Sequence, residues 1–178
     1  MKRSCISCVM AILAVVIFTS PSLAVMRALG TAEMTADSDS VITGEVEDVS
    51  SSWGGRDQGQ IITRAAVRVK EVVRGAATSD RVYVEHLGGT VGNITMKVSD
   101  MPSFQKGQDV VLFLKRTKGR PGGEAYGVVG NAQGKYDVGA DGRARKGGFT
   151  IAGPPPAEEV MDNDLPVSDL VEKIKAVK

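Results

Sequence analysis

The chain of 178 residues has only two cysteines, and both lie close to its amino terminus. Cys5 and Cys8 precede an apolar run over 9–18. This run is too short to cross a bilayer core of about 30 Å as a helix. A basic start precedes it and small residues follow it, which is the order of a secretory signal peptide. An uncleaved anchor or a buried core helix is the alternative interpretation.

Small residues mark the end of this leader. Ser22 and Ala24 stand three and one positions before the predicted cut between Ala24 and Val25. We therefore expect 1–24 to be a signal peptide and the mature protein to be secreted or periplasmic, with membrane contact only through the signal before cleavage. Both cysteines leave with the signal. The mature chain is thus expected to have no disulfide and to be held together by its core alone.

An excess of charge of one sign and aromatic side chains are also lacking. The chain has 22 basic and 21 acidic residues, and 4% of its residues are aromatic. A near-neutral chain has no general electrostatic attraction to nucleic acid, and few rings are present to stack on bases. We therefore predict no nucleic-acid partner. The basic segments 115–120 and 143–146 are flanked by glycine and are interpreted as solvated hairpin tips.

Short segments of alternating apolar residues make up most of the mature sequence. The segment 109–115 is apolar on both faces, as expected of a central strand. The Ser/Gly-rich stretch 50–60 separates the first two strands and is interpreted as a hairpin loop. In 61–73, Ala65, Val67, Val69 and Val73 are predicted to share one face. The predicted strands are 41–49, 61–73, 81–87, 109–115, 125–130 and a hairpin of 135–139 with 148–153.

Helical segments are expected only near the two ends of the mature chain. A short helix is predicted over 32–36. The tail 168–178 has helical spacing, with Ser168 as its cap, and it either covers its own domain or binds a membrane or a partner. Three prolines at 154–156 form a stiff spacer. We therefore divide the chain into a signal peptide (1–24), a β-barrel domain (25–153), and a spacer with a carboxy-terminal helix (154–178).

These elements predict a mostly β protein. Five or more short strands with many glycines imply a small, strongly bent sheet, because glycine within strands permits sharp coiling. The predicted fold is a closed or partly open barrel of five to seven strands, like the OB-fold, with a short amino-terminal helix and an amphipathic carboxy-terminal helix. A β-sandwich is the alternative.

The order of motifs SDSVITGEVEDV, VRVKEVVRG, FQKGQDVVLFL and GKY resembles the netrin-like, or tissue-inhibitor-of-metalloproteinase-like, OB domain, and also uncharacterised exported bacterial proteins. The resemblance covers about 38–136 and rests on core valines and turn glycines. It implies an OB fold and makes a protease, including a metalloprotease, one candidate partner. The animal inhibitors chelate zinc through an amino-terminal cysteine. The expected mature start here is Val25, so that chemistry is not carried over.

The only histidine, His86, stands beside Gly88, Gly89 and Gly92. Residues 89–92 match a G-x-x-G clamp, but a phosphate site needs such a loop to open a helix, and the residues that follow have strand character. We interpret these glycines as residues of positive φ at a bend. His86 is interpreted as structural, because zinc needs three or four ligands and the mature chain has no other histidine or cysteine.

No catalytic residue, metal or cofactor is assigned from the sequence. The stretch 130–136 resembles a Walker loop, but it is one residue short and Tyr136 replaces the Ser or Thr that holds magnesium. The G-x-S-x-G and H-E-x-x-H motifs are both missing. An enzyme with unrecognised carboxylate chemistry remains an alternative, as does a structural or envelope-associated protein that uses the basic segments and the tail helix.

The preferred interpretation is an exported, non-enzymatic binding module that contacts another exported or surface protein through loops at one barrel end. Phe104 is expected to pack inside the barrel, and Met101 to be exposed. A large ring at Trp53 is unusual in a Ser/Gly-rich segment and either packs across the barrel end or binds the partner. The predicted binding residues are Trp53, His86, Gly88, Gly89, Thr90 and Met101.

Overall fold

The computed structural model describes residues 27–54, 59–76, 79–117, 125–148 and 162–177. The predicted signal peptide 1–24, its cut between Ala24 and Val25, and the prolines at 154–156 lie outside these ranges. Strands dominate the described residues, so the predicted mostly β fold is confirmed. In chain order the elements are α1 (Thr31–Asp37), β1 (Ser40–Gly54), β2 (Gln60–Gly75), β3 (Arg81–Leu87), β4 (Gly89–Val91), β5 (Ile94–Met96), β6 (Asp109–Thr117), β7 (Ala125–Val128), a 3₁₀ turn (Asn131–Gly134), β8 (Lys135–Val138), β9 (Arg143–Lys146), β10 (Leu165–Pro166) and α2 (Val167–Ala176).

Five of these strands close into a ring. The order is β1-β2-β3-β7-β6, and β6 pairs back with β1. Neighbours in the ring are antiparallel except β3 and β7, which run parallel and pair through Val84 and Tyr126. The predicted small barrel, closed or partly open, is therefore confirmed, and the alternative β-sandwich does not form because the sheet closes on itself. Strands β8, β9 and β10 extend the sheet from β6, and β4 and β5 form a separate hairpin.

Strand β6 is central because both of its faces are covered. Val110, Leu112 and Leu114 belong to the cluster of side chains that fills the barrel. Val111 and Phe113 belong to a second cluster, on the outer face of β6. Alternation of side chains across a strand explains this division. The central strand predicted at 109–115 is confirmed.

The register between β1 and β2 shifts at three points, and each shift changes which face a side chain occupies. Val41 and Ile42 pair with the residues on either side of Val73, which is therefore an extra residue in β2. Ala65 and Val67 face the barrel interior, whereas Val73 packs in the second cluster. The prediction that Val73 shares their face is wrong, because strict alternation does not anticipate the bulge.

The second cluster lies between the barrel and the two helices. Met34 of α1 and Leu170 and Ile174 of α2 are fully buried in it. The carboxy-terminal helix thus covers its own domain. It begins directly after Pro166, and Ser168 lies within its first turn, so the predicted cap at Ser168 is wrong.

The basic segment 143–146 forms strand β9, and its prediction as a solvated hairpin tip is wrong. Ala144 is fully buried. Arg143 Nε and Arg145 Nε lie 2.8 Å and 2.9 Å from the same Asp164 carboxylate oxygen, Oδ1. Arg145 also pairs with Asp141 at 2.6 Å, so two carboxylates balance the two guanidinium groups, and the basic segment pairs with β8 on one edge and with β10 on the other.

The sequence predicts a hairpin in which 135–139 pairs with 148–153. In the structure, β9 is the strand that pairs with β8 instead. The turn is at Gly142, with a φ of +72°, but the returning strand begins directly after it. Residues 149–153 lie outside the described ranges. The other basic segment, 115–120, continues β6 as far as Thr117, and 118–120 lie outside the described ranges.

Candidate binding surface at one end of the barrel

The β1–β2 ribbon extends beyond the barrel. Strand β6 pairs with β1 only over 40–45, whereas β2 accompanies β1 as far as Gly54. The Ser/Gly-rich segment 50–60 was predicted to be a loop, but 50–54 and Gln60 belong to the two strands. Trp53 therefore lies on a strand, directly opposite Ile61.

The side chains of Val49, Ser51 and Trp53 continue the row that faces the barrel interior. Their partners on β2 are Ala65, Thr63 and Ile61, in that order towards the ribbon end. Ala65 lines the barrel, and alternation places the other two on the same face. Trp53 is at the open end of this row and remains 45% exposed. Its ring is thus placed at the rim of the barrel end.

A chain of hydroxyl groups within this row joins the ribbon to the bend after β3. Thr63 Oγ1 donates to the Gly88 carbonyl oxygen at 2.6 Å and lies 2.8 Å from Ser51 Oγ. Because the Thr63 proton is already directed to a carbonyl, Ser51 donates to Thr63. The Ser51 proton is therefore engaged, and no described base is paired with this hydroxyl.

Gly88 and Gly89 turn the chain from β3 into β4. Their φ values are +98° and +130°, which agrees with the predicted bend. A Cβ atom on Gly89 would lie 2.3 Å from Thr63 Oγ1 and 2.4 Å from Ser51 Oγ. Only glycine therefore lets β4 approach the end of the ribbon this closely.

The β4–β5 hairpin lies against the ribbon end. Gly92, at the tip, has a φ of +58°, and Thr90 and Thr95 face each other with their hydroxyl oxygens 2.9 Å apart. Two strands flank this turn, so 89–92 does not open a helix. Ile94 is 55% exposed, and Val98, which follows β5, is 36% exposed.

His86 lies further inside, opposite Thr63. Its Nδ1 is 2.9 Å from the Leu87 carbonyl oxygen, so the neutral ring has its hydrogen on Nδ1 and its lone pair on Nε2. Burial lowers the pKa of His86, and the bond to Leu87 opposes this shift, so the ring is neutral at about pH 7. No group of three or more His, Cys, Asp or Glu side chains capable of holding a metal ion is found among the described residues.

Phe104 connects His86 to a buried lysine. Its ring is 8% exposed, and its centre lies 6.0 Å from that of His86, so its predicted place inside the barrel is confirmed. Lys135 Nζ lies 5.3 Å from the centre of the same ring and pairs with Asp137. Lys135 is 3% exposed. This arrangement supports a packing role for His86.

The predicted site residues fall into two groups. Trp53, Gly88, Gly89 and Thr90 meet where the hairpin lies against the ribbon, whereas His86 packs against Phe104. Met101 is half-buried and not exposed as predicted.

Sequence reasoning missed Ile94 and Val98 as surface residues. The available signal was the position of both apolar side chains next to a glycine-rich tip. The two positions were instead interpreted as part of an ordinary strand.

Comparison of this chain with protein-family models, with curated proteins and with solved structures finds no match. In the described part of the chain, neither helix combines the length and apolar character needed to cross a membrane.

Proposed function

We propose that the mature chain is an exported, non-enzymatic module that binds another protein through the barrel end at which the ribbon and the β4–β5 hairpin meet. The observation that carries this proposal is the grouping of exposed apolar side chains. Of the five large apolar residues that are exposed in the described ranges, Trp53, Ile94 and Val98 belong to this end. Clustered apolar exposure with an aromatic residue is typical of protein contact surfaces.

Two contacts place the segments that carry these side chains at the same end of the barrel. Gly89 is packed against Ser51, two residues before Trp53, and Val98 Cγ2 is 3.8 Å from the place that a Cβ of Gly88 would occupy. The surface is thus built on a paired ribbon and a bend that only glycine permits. Such a support limits the conformational entropy that binding would cost.

The partner is proposed to be another exported or surface protein. The netrin-like order of motifs makes a protease one candidate, although the cysteine chemistry of the animal inhibitors has no counterpart here. The envelope-associated alternative has less support. The apolar residues Leu170 and Ile174 of the tail helix are buried in the protein itself, and Arg143 and Arg145 are paired with Asp164.

A photo-crosslinking amino acid placed at position 94 tests the proposal. The matched control is position 72, because Val72 is also exposed, at 40%, and lies elsewhere on the barrel. In cells that export the protein, position 94 should crosslink to a defined partner and position 72 should not. Trp53→Ser should reduce the yield at 94. Equal products at both positions, or none at 94, would contradict the proposed face.

Export is tested separately. The mature protein recovered outside the cytoplasm should begin at Val25, as measured by intact mass and amino-terminal sequencing. A chain that retains Cys5 and Cys8 would contradict cleavage between Ala24 and Val25. The crosslinking result would still decide the binding proposal.

A further inference from the structure

Among the residues that the structure describes, strand β1 has no strand partner on one edge over its last residues. The last backbone bonds on the β6 side of β1 involve Val46, which donates to the Gln108 carbonyl at 2.9 Å and accepts from Gly107 at 2.7 Å. Beyond Val46, no residue in the described ranges makes a backbone hydrogen bond to this edge. With respect to the described ranges, the edge is therefore open along 47–54.

The direction of the open backbone groups follows from the neighbouring strand. The Ile61 carbonyl accepts from Gly88 N at 2.8 Å, so the backbone groups of Ile61 point towards β3 and away from β1. In an antiparallel pair, directly opposite residues either bond to each other or both point outwards. Trp53, opposite Ile61, therefore directs its N–H and C=O to the open edge, and alternation gives Ser51 and Val49 the same direction.

This edge lacks the usual protection against strand pairing. Exposed edges are commonly blocked by lysine, proline or a bulge that turns the strand away. The segment 49–54 reads VSSSWG and has no proline and no charged side chain. The nearest bulge, at 46–48, lies before the segment and leaves its three outward-directed residues in regular pairing with β2.

We propose that the partner adds an extended segment as a new strand along this edge, with N–H and C=O groups of its backbone paired to Val49, Ser51 and Trp53. This inference rests on the proposed function and specifies how the partner is recognised. Strand addition draws its affinity from main-chain hydrogen bonds and its specificity from alternate side chains.

The charge next to the edge indicates one feature of that segment. The Asp48 side chain is exposed, and its carboxylate forms no ion pair or hydrogen bond with another described residue. Glu47, by contrast, is held by Arg68 and Arg81. An incoming strand is therefore expected to carry lysine or arginine opposite Asp48, because an opposite charge at such a cross-strand position is favourable.

A defined peptide tests the edge directly in the full mature chain. The probe is acetyl-Lys-Val-Thr-Val-Thr-Val-amide, and its control is the same peptide with every amide N-methylated, so that it cannot donate. Amide hydrogen exchange followed by NMR is the measurement. The probe should slow exchange at Val49, Ser51 and Trp53 by about tenfold or more, and the control should not.

A matched pair of variants separates the backbone contribution from that of the Ser51 hydroxyl. Ser51→Pro removes the outward N–H, which the β2 pairing does not use, and proline is tolerated on an open edge. Ser51→Ala removes only the hydroxyl that Thr63 accepts from. Binding of the probe should survive Ser51→Ala and be lost in Ser51→Pro, while both variants keep native exchange in β6.

Three results would overturn strand addition. The first is the absence of protection at these three amides at millimolar probe, and the second is equal protection by the N-methylated control. The third is protection that rises with protein concentration without any peptide, which would assign the edge to a second copy of the chain. Failure of the inference is distinct from failure of the proposed function. A partner that crosslinks at position 94 equally well in wild type and in Ser51→Pro would leave the binding face standing without the added strand.

Discussion

Lys146 Nζ lies 5.1 Å from the centre of the Tyr136 ring and has no hydrogen-bond partner among the described residues. Burial lowers the pKa of Lys146 to about 8, and Asp162 opposes this shift. The Asp162 carboxylate is itself engaged by Thr31, at 2.6 Å, and by Lys173. The ammonium group is thus desolvated without a direct counter-ion in the described part of the chain, which opposes folding.

Replacing Lys146 should therefore stabilise the protein. Between about pH 8 and pH 10.5 the unfolded chain binds more protons at this site than the folded chain, so the free energy of unfolding should rise with pH. Lys146→Met, which keeps the stem but removes the charge, should raise the free energy of unfolding by about 1–2 kcal/mol at about pH 7 and flatten its rise up to about pH 9. Urea denaturation at both pH values measures this.

The Lys146 measurement stops at about pH 9 because a second group, Tyr136, affects stability at higher pH. Burial raises the pKa of Tyr136, with Thr31 acting in the opposite direction, so ionisation of this tyrosine in the unfolded chain would lower stability towards about pH 10. The exposed Lys106→Met is the control and should leave the pH dependence unchanged. The interpretation would be wrong if wild type and Lys146→Met showed the same slope.

His86 should give a pH dependence of the same sign as Lys146, but in a more acidic range. Its pKa is lowered in the folded protein, mainly by burial, so the unfolded chain takes up a proton first as the solution is acidified below about pH 6.5. Stability that is present above about pH 6.5 should then decrease until the folded pKa is reached.

His86→Gln keeps a polar side chain and should remove this part of the acid dependence, as measured by urea denaturation at about pH 7 and pH 5.5. Zinc titration of the wild type provides a second readout for the structural role. Micromolar zinc binding that disappeared in the His86 variant would contradict it.

The strands that the sequence predicts well have either one solvent-exposed face or two buried faces. The strand predicted at 81–87 has the observed bounds, because alternation of Val82 and Val84 with exposed residues sets a clear period. Strand β6 was recognised by its continuous apolar run. Both patterns are local, and both survive into the tertiary structure.

The missed elements depend on distant partners. Strand β9 has a single buried apolar side chain, Ala144, and both of its arginines pair with Asp164, which lies about twenty positions away in the chain. The serines before Trp53 were interpreted as a loop because polar residues give no strand period, yet pairing with β2 continues through them. The exposure of Ile94 depends on where the bend at Gly88 and Gly89 places a short hairpin. No local pattern carries that information.

The bend itself can be tested by comparing two glycines of the same hairpin. Gly89→Ala places a methyl group at a φ of +130° and within 2.4 Å of two hydroxyl oxygens. Gly92 has a φ of +58°, and a Cβ placed there would have no neighbouring atom within 4 Å. The cost of Gly92→Ala is therefore limited to the strain of the left-handed conformation.

We expect Gly89→Ala to reduce the free energy of unfolding by about 2–3 kcal/mol and Gly92→Ala by about 1 kcal/mol. Urea denaturation gives the totals. Hydrogen exchange at the Gly88 amide, which donates to Ile61, reports the local change. Equal losses in the two variants would mean that the close approach of β4 to the ribbon does not require glycine.

Leu112 gives the most direct test of the barrel, because its side chain is fully buried in the cluster that the five ring strands enclose. Leu112→Ala should cost about 2–5 kcal/mol through lost burial and the cavity left behind. Val72→Ala is the control, since that side chain is 40% exposed and its loss should cost little. Urea denaturation with the m-value monitored distinguishes a destabilised barrel from a changed unfolding transition. A loss below about 0.5 kcal/mol for Leu112→Ala would mean that β6 does not lie between two packed layers. Removing so large a side chain costs little only where the interior is open or loosely packed.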